Sequence, residues 1–418
     1  MKILELFAGI GACSKALERL EIEHEIVDAV EIDKYAIASF NAIHGTNFEP
    51  QDITKWDKDI EVDLIMQGSP CQDFSVAGKG AGGDKDSGTR SSLMYETIRI
   101  VEKLKPKYVI WENVKNILSK KHRHNFDNYL EKMEELGYSN YYQVLNAKDY
   151  GIPQNRERVF TISIKEKQFG NTIRTPHFKF PPKQELKLKL KDMLEDKVDE
   201  KYYLSDKAVN GLINQMNKSH KPKFIDTNVQ PNENFPTLTS GYAKQGHYET
   251  YLKINNATKQ GYSEAFEGDS INLSYPNSKT RRGRVGEQVS QTLQCNDNMG
   301  VVLKSKCKRL KSLVEKTQFE EGKVLNMGLY NQTTNENLSQ CLTEPHHNSQ
   351  RLFDGLRIRK LTPKECWRLM GFDDEDFEKA EKVNSNTQLY KQAGNSIVVN
   401  VLEAILKNLL IKEDENND

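Results

Sequence analysis

The stretch Gln67-Gly68-Ser69-Pro70-Cys71-Gln72-Asp73-Phe74-Ser75 sets a thiol directly behind an apolar run, residues 62–66. That run reads as a short buried strand. Gly68 and Pro70 end it, so Cys71 stands on a turn at the strand's carboxyl end. In an open parallel sheet this edge is where ligands bind. Residues 76–89 are rich in Gly, Lys, Asp and Ser, too polar for a core. A thiol at a strand tip with a mobile loop behind it suggests a nucleophile with a lid. A buried structural cysteine is the competing reading, and the neighbouring motifs decide between the two. Trp111-Glu112-Asn113-Val114 follows a second apolar run and puts a carboxyl group at the same edge. Beside a nucleophilic thiol, that group can protonate a ring nitrogen and make the ring electrophilic. Gln154-Asn155-Arg156-Glu157-Arg158 precedes a further strand. Arg156 and Arg158, two apart, fall on one strand face; surface salt bridging would account for them equally well in isolation.

A second group suits a nucleotide-like cofactor. Phe7-Ala8-Gly9-Ile10-Gly11 lies between the first strand and a helix, where glycines let the backbone approach a ligand. Glu31 follows at the end of the second strand, placed to accept hydrogen bonds from ribose hydroxyls. Asp52, farther on, is placed to hold an adenine amino group. Gln392-Ala393-Gly394-Asn395-Ser396-Ile397 opens the last helix. Taken singly, each acid reads as a solvated turn residue and each glycine as a tight turn.

These residues need a scaffold, and the hydrophobic pattern supplies one. Strand signals at 3–7, 25–32, 62–66, 108–111, 141–146 and 158–164 alternate with helical ones at 14–20, 34–44, 92–104 and 125–136. Such alternation predicts a doubly wound, mostly parallel α/β sheet. Near residue 170 the composition turns rich in Asn, Lys, Gln, Ser and Thr, with short β-like runs punctuated by proline. Residues 160–358 carry 30 Lys and Arg against 22 Asp and Glu, in a chain whose 60 basic and 60 acidic residues balance overall, so the remainder is correspondingly acidic. Helical order returns at 362–370, with Thr362 and Glu365 in capping-box spacing, and again at 396–411.

Bulk properties exclude several classes. A chain of 418 residues with 37% hydrophobic content builds a sizeable core. No apolar run approaches the roughly 18 residues of a membrane span, and the N-terminus goes straight into a strand without a signal-peptide pattern. Six scattered cysteines without a C-x-x-C pair argue against a disulfide framework, so a reduced, cytoplasmic setting is expected. Cys295, Cys307, Cys341, His346 and His347 fit no usual zinc spacing, and no metal is expected.

Taken in order, Phe-Ala-Gly-Ile-Gly, Ser-Pro-Cys-Gln, Glu-Asn-Val, Gln-Asn-Arg-Glu-Arg and Gly-Asn-Ser resemble the motifs of the DNA (cytosine-5)-methyltransferase family. Residues 359–372 are similar to that family's penultimate motif. The resemblance covers about the first 165 and the last 60 residues. It implies the S-adenosylmethionine-dependent methyltransferase fold with an inserted, irregular β-rich target-recognition domain. The boundaries expected are 1–168 for catalysis and cofactor, 169–374 for recognition, and 375–418 returning to the catalytic domain.

The resemblance also implies roles. Cys71 would attack carbon 6 of an extruded cytosine, Glu112 would serve ring nitrogen 3, Arg158 would hold the base, and Arg156 would contact the cysteine loop or DNA. S-adenosylmethionine would lie against Phe7, Gly9, Ile10, Gly11, Glu31, Asp52, Ile53, Pro70, Asn395 and Ser396. Ser75, Arg281, Arg282 and Arg284 would touch double-stranded DNA. A monomer, with a cognate restriction endonuclease as a candidate partner, is expected. A relative acting on tRNA, a silent DNA-binding protein, a nucleotide-dependent oxidoreductase and an amino-methylating enzyme are the alternatives. The basic insertion, the intact Cys71, Glu112 and Arg158, and Ser69-Pro70-Cys71-Gln72 in place of Asp/Asn-Pro-Pro-aromatic argue against them.

Overall fold

The computed structural model describes residues 1–70, 90–169, 172–174, 176–204, 252–275, 280, 282–293, 295, 299–304, 325–328, 333–336, 350–352 and 356–411. The expected nucleophile Cys71, the loop 76–89, Ser75 and Arg281 lie outside these residues. They divide into two compact units, one of 1–196, 289–297 and 361–418, the other of 197–288 and 298–360.

The first unit is built on a six-stranded sheet. In chain order its strands are β1 (Lys2–Leu6), β2 (Glu25–Val30), β3 (Leu64–Gln67), β4 (Tyr108–Val114), β5 (Tyr138–Asn146) and, after the two-residue β6 (Gln154–Asn155), β7 (Glu157–Lys165). Their spatial order is β2-β1-β3-β4-β7-β5. β1 to β4 are parallel, and β7 runs antiparallel to both β4 and β5. Five strands therefore share a direction and one is reversed. The cause lies in the connections. Helices α1 (Ala12–Arg19), α2 (Lys34–His44), α3 (Met94–Leu104) and α4 (Arg123–Glu135) carry the chain back between parallel strands. From β5 to β7 there is no crossover helix, only a short return, which permits antiparallel pairing alone. The apolar run of β3 is buried along its whole length, as a strand covered on both faces must be. Leu4, Leu6, Ile65, Val109, Trp111 and Val159 belong to the core behind the sheet.

The chain rejoins this unit through α5 (Pro363–Arg368), α6 (Asp374–Glu381), α7 (Asn386–Asn395) and α8 (Val399–Leu406). The expected capping box is complete. Thr362 Oγ1 accepts from the Glu365 N–H, and Glu365 Oε2 accepts from the Thr362 N–H. Residues Asn386–Ile411 are long and apolar enough to cross a membrane, which the sequence reading had not picked out. They form two helices broken at 396–398, half buried against the unit. Lys15 of α1 anchors this return by pairing with Asp373 (3.0 Å) and Asp376 (3.1 Å). The unit thus reaches to residue 196 and resumes at 361, where the expected boundaries lie at 168 and 374. The reason is that Leu190 and Met193 are buried and that the Glu195 N–H donates to Glu365. A hairpin of β8 (Lys167–Phe169) and β9 (Thr172–Arg174) also belongs to this unit.

In the second unit, β10 (Leu252–Asn255) and β11 (Tyr262–Ala265) form a hairpin. β12 (Ser270–Asn272) and β13 (Val285–Gly286) join a sheet with two later strands. β14 (Ser290–Gln291), which follows β13 in the chain, belongs to the first unit and pairs there in parallel with β6. β15 (Met299–Lys304), then β16 (Leu325–Gly328), β17 (Thr333–Glu336), β18 (Gln350–Leu352) and β19 (Leu356–Lys360) complete two small sheets, ordered β13-β12-β15-β19 and β17-β16-β18. Leu252, Ile254, Ile271, Val302 and Ile358 form its core.

Candidate active site

At the tip of β1 the backbone enters the left-handed region at Phe7 (φ 54°), Gly9 (57°) and Gly11 (79°). The two glycines are needed for different reasons. A Cβ at Gly11 would sit 2.1 Å from His44 Nε2, so close packing forbids a side chain. A Cβ at Gly9 would meet nothing within 4 Å, so there the conformation alone selects glycine and the space beside it is open. Ile10 is buried. Burial holds the His44 imidazole near a pKa of about 4, hence neutral, and its Nε2 lies 3.3 Å from the Ile10 carbonyl. A neutral ring facing a carbonyl must donate, so His44 braces the loop. It carries no motif and was missed in the sequence.

The carboxylate of Glu31 is pinned beside this loop. Its Oε2 accepts from the Gly9 N–H at 3.0 Å and its Oε1 from the Asp33 N–H at 2.8 Å. Burial raises its pKa above the usual range, against those bonds. Each carboxylate oxygen retains acceptor capacity for a diol. Ile32, the next residue, is 71% exposed, a large apolar side chain beside the pinned acid that the sequence reading passed over. Asp52 caps a short turn, accepting from Thr54 N–H (3.0 Å) and Oγ1 (2.8 Å), bonds that lower its pKa; Ile53 behind it is buried.

Farther along the same edge, Gly68 lies against Ile397, whose Cδ1 is 3.4 Å from where a Cβ would stand. The Gly394–Ile397 stretch therefore meets the end of β3. Asn395 is exposed and Ser396 buried. Pro70, half-buried, is the last residue described before Cys71. Ser69 is buried and takes hydrogen bonds from both neighbours of Glu112: Trp111 Nε1 reaches its Oγ at 2.9 Å, and Asn113 Nδ2 reaches its Oγ at 3.3 Å. The cysteine motif and the acid motif are thus tied two residues from the thiol.

Glu112 is 8% exposed, and Arg158 Nε stands 3.0 Å from its Oε1. Burial pushes the Glu112 pKa up, while the charges of Arg158 and then Arg156 pull it back. The two arginines differ otherwise. Arg156 falls in the break between β6 and β7, so the period-two expectation fails there. It is buried, and it donates to the carbonyls of Leu293 (3.4 Å), Gly394 (3.2 Å) and Ser396 (2.8 Å). Its guanidinium staples the 394–396 segment, a partner the sequence reading did not foresee. Gln154 works beside it, donating to the Leu369 carbonyl at 2.7 Å and accepting from the Leu293 N–H at 3.3 Å.

In the second unit, exposed Arg282 donates to the Ala257 carbonyl at 3.1 Å. Arg284, expected at a DNA surface, is only 1% exposed and binds the carbonyls of Asn272, Ser274 and Tyr275. Its charge closes a turn. An arginine run in a loop reads as surface, and nothing local announces the carbonyls that bury one of its members. No group of His, Cys, Asp and Glu suited to a metal occurs among the described residues.

The fold and this edge define an α/β unit with a glycine-bearing loop and a pinned carboxylate at the carboxyl end of β1 and a buried carboxyl–guanidinium pair at the end of β4. Comparison with known proteins gives the class its particular form. The model of the C-5 cytosine-specific DNA methylase family matches residues 1–410, and the chain belongs to that family. It is a DNA (cytosine-5)-methyltransferase, of a family that depends on S-adenosylmethionine. It is 33% identical to the orphan methyltransferase M.SPRI of Bacillus phage SPR, covering 98% of this chain and 97% of that one. It is 32% identical to the type II methyltransferase M2.ScrFI of Lactococcus lactis subsp. cremoris, over 98% and 99%. Among solved structures, a DNMT2 mutant of Spodoptera frugiperda shares the fold with a TM-score of 0.55 at 21% identity, covering 98% of this chain and 99% of that one. Entamoeba histolytica EhMeth does so with 0.54 at 15%, over 99% and 98%.

Proposed function

We propose that the protein methylates carbon 5 of a flipped-out cytosine in a specific duplex sequence through a covalent Cys71 adduct. The observation that carries this reading is the double hydrogen bond from Trp111 and Asn113 to Ser69. It ties the end of the strand that leads to Cys71 to the two residues flanking Glu112, which supports a nucleophile and an acid working at one edge. Cys71, as thiolate, forms a bond to carbon 6 while a proton on the Glu112 carboxyl goes to ring nitrogen 3. The raised Glu112 pKa suits it to carry that proton, and Arg158 keeps the carboxyl aimed. The ring's electron pair then lies at carbon 5, ready for an electrophile. With the methyl group that S-adenosylmethionine would supply on carbon 5, loss of the carbon-5 proton to water, return of the nitrogen-3 proton to Glu112 and departure of the thiolate restore aromaticity and leave 5-methylcytosine in the DNA. A stacked base offers no access to carbon 6, so the target leaves the helix.

The residues present fit S-adenosylmethionine, which supplies an electrophilic methyl group when bound. The open face at Gly9 with Phe7, Ile10 and Gly11 would take its methionine side. The pinned Glu31 would take the ribose hydroxyls, and Asp52 and Ile53 the adenine. Pro70, Asn395 and Ser396 would close the site. The second unit, with Arg281 and the exposed Arg282, would read DNA, and Ser75 of the first unit would touch it. We read the enzyme as a cytoplasmic monomer, either an orphan or one member of a restriction pair.

Duplex DNA containing 5-fluorocytosine tests the chemistry, because its carbon-5 fluorine cannot leave as a proton does. A denaturation-resistant protein–DNA adduct requiring S-adenosylmethionine is expected, and its absence from Cys71→Ser. A transfer equally efficient to tRNA, or no adduct with the intact protein, overturns the reading.

A further inference from the structure

Asp28 sits on β2, the edge strand of the sheet, with 1% of its surface exposed. A buried carboxylate costs several kcal/mol in desolvation unless its oxygens are fully met, and a β-branched apolar residue would serve the strand better. The oxygens are met, and almost wholly by one loop. Oδ1 accepts from Gln51 Nε2 at 2.8 Å and from the Ala29 N–H at 3.0 Å. Oδ2 accepts from Trp56 Nε1 at 2.7 Å and from Lys58 Nζ at 2.7 Å. Three donors thus come from residues 51–58. The charge persists, since the bonds from Lys58, Trp56 and Gln51 lower the Asp28 pKa against the opposing effect of burial.

The same loop covers the open edge of β2. The Gln51 N–H donates to the Glu31 carbonyl at 2.8 Å, and Gln51 Nε2 also reaches the Ala29 carbonyl at 3.1 Å. From the other side Arg99 Nη2 holds the carbonyls of Ile53 (3.0 Å) and Trp56 (2.9 Å). Between these anchors lie Asp52 and Ile53. Gln51 precedes them and Trp56 follows them, and both end on the one carboxylate.

We propose that Asp28 is a positioning residue for the adenine side of the cofactor site, fixing Asp52 and Ile53 by clamping residues 51–58 at both ends. This rests on the reading that Asp52 and Ile53 face the adenine. It predicts a defect in cofactor recognition rather than in chemistry, since among the described residues Asp28 binds Ala29, Gln51, Trp56 and Lys58 and not Glu112.

The test compares the intact chain with Asp28→Asn, Lys58→Met and Asp52→Ala. It measures S-adenosylhomocysteine affinity by calorimetry, kcat and cofactor KM on duplex DNA, DNA affinity and Tm. An S-adenosylhomocysteine analogue lacking the adenine amino group gives a readout that general loosening would not move. Asp28→Asn is expected to raise cofactor KM about tenfold, with a much smaller change in kcat and in DNA affinity. It is also expected to shrink the preference for the amino-bearing ligand. Lys58→Met, at an exposed residue that leaves the core intact, should follow in the same direction at about threefold. If Asp52→Ala weakens the ligand while Asp28→Asn and Lys58→Met lower only Tm, the proposal fails and the cofactor reading stands. If Asp52→Ala itself leaves affinity and amino-group preference unchanged, the loop does not face the cofactor and both fall.

Discussion

Arg158 holds its Nε 3.0 Å from the Glu112 carboxylate in a place where both side chains are largely buried. Two opposed influences act on that acid. Burial favours its protonated form, and the guanidinium favours its ionised form. An acid held above its ordinary range in this way keeps a proton more readily than a free carboxyl and can release it when a ring nitrogen gains basicity.

Replacing Glu112 by Gln keeps the shape and removes the proton. kcat should fall by roughly 10²–10⁴-fold, the usual contribution of a positioned acid, with DNA affinity within a few-fold of the intact enzyme. Arg158→Met should instead leave Glu112 buried without its counter-charge, raising the acid's pKa further. Stability should then fall as pH rises, because ionising the isolated carboxyl is what costs free energy. Single-turnover methylation and thermal melts across pH 5–8 measure the two effects separately; equal pH profiles for Arg158→Met and the intact enzyme would contradict the pairing.

Cys71→Ser should abolish turnover while DNA binding persists within about a few-fold. A hydroxyl does not ionise appreciably at neutral pH, whereas a thiol with a pKa near 8.5 can be driven to the thiolate. Methyl incorporation from labelled cofactor, beside gel-shift titration, is decisive. Substantial residual methylation would remove Cys71 from the mechanism.

Arg156 stands where the chain closes on itself. Its three carbonyl acceptors come from Leu293, Gly394 and Ser396, and no other side chain could span them. Arg156→Met leaves those carbonyls short of a donor, a loss on the order of 3 kcal/mol. The 394–396 segment should loosen, so cofactor affinity is expected to fall about tenfold or more, alongside a lower Tm. Arg156→Lys, with one point charge in place of a fork, should recover little of either. Full recovery by lysine would show that charge alone matters there.

What could be read from the chain follows from how far each residue's partners lie. Gly9, Glu31 and Glu112 sit in local patterns, a strand end followed by a turn, so their place on one sheet edge was legible. The capping box at Thr362 and Glu365 was legible for the same reason. The direction of β7 was not, because alternation of strand and helix signals a sheet without stating which strands reverse; the missing crossover helix is the clue. The carbonyl partners of Arg156, read as contacting the cysteine loop or DNA, and of Arg284, read as touching DNA, were not legible, since an arginine's burial depends on carbonyls supplied by residues remote in sequence or by a turn of no recognisable pattern. Asp28 looked like any polar strand residue. Only the approach of Gln51, Trp56 and Lys58 gives it a task.

Glu31→Ala should weaken cofactor binding more than DNA binding. The carboxylate is held by the Gly9 and Asp33 N–H groups and needs no rearrangement to receive a diol. Two charge-assisted hydrogen bonds of about 1.5–3 kcal/mol each would then be lost, and affinity should drop at least tenfold. Calorimetry with S-adenosylhomocysteine tests it. Unchanged affinity would take Glu31 out of the site.

Glu5 on β1 links pH to the same loop from beneath. It is 2% exposed, and one of its oxygens accepts from both the N–H (2.9 Å) and the hydroxyl of Ser14, in the first turn of α1. Burial lifts its pKa from 4.5 to about 7, with the Ser14 bonds opposing. The folded state therefore prefers the protonated acid more than the unfolded chain does. Its contribution to stability is complete below about pH 4.5 and is lost as pH rises through about 7, a change on the order of 3 kcal/mol. Glu5→Gln keeps an acceptor for Ser14 and cannot ionise. Its Tm should change less than that of the intact protein between pH 5 and 8.5, and the difference between them should widen toward alkaline pH in favour of the variant. Thermal melts in matched buffers supply the comparison. Parallel profiles would mean that Glu5 keeps an ordinary pKa and that α1 is not held by a proton-sensitive contact.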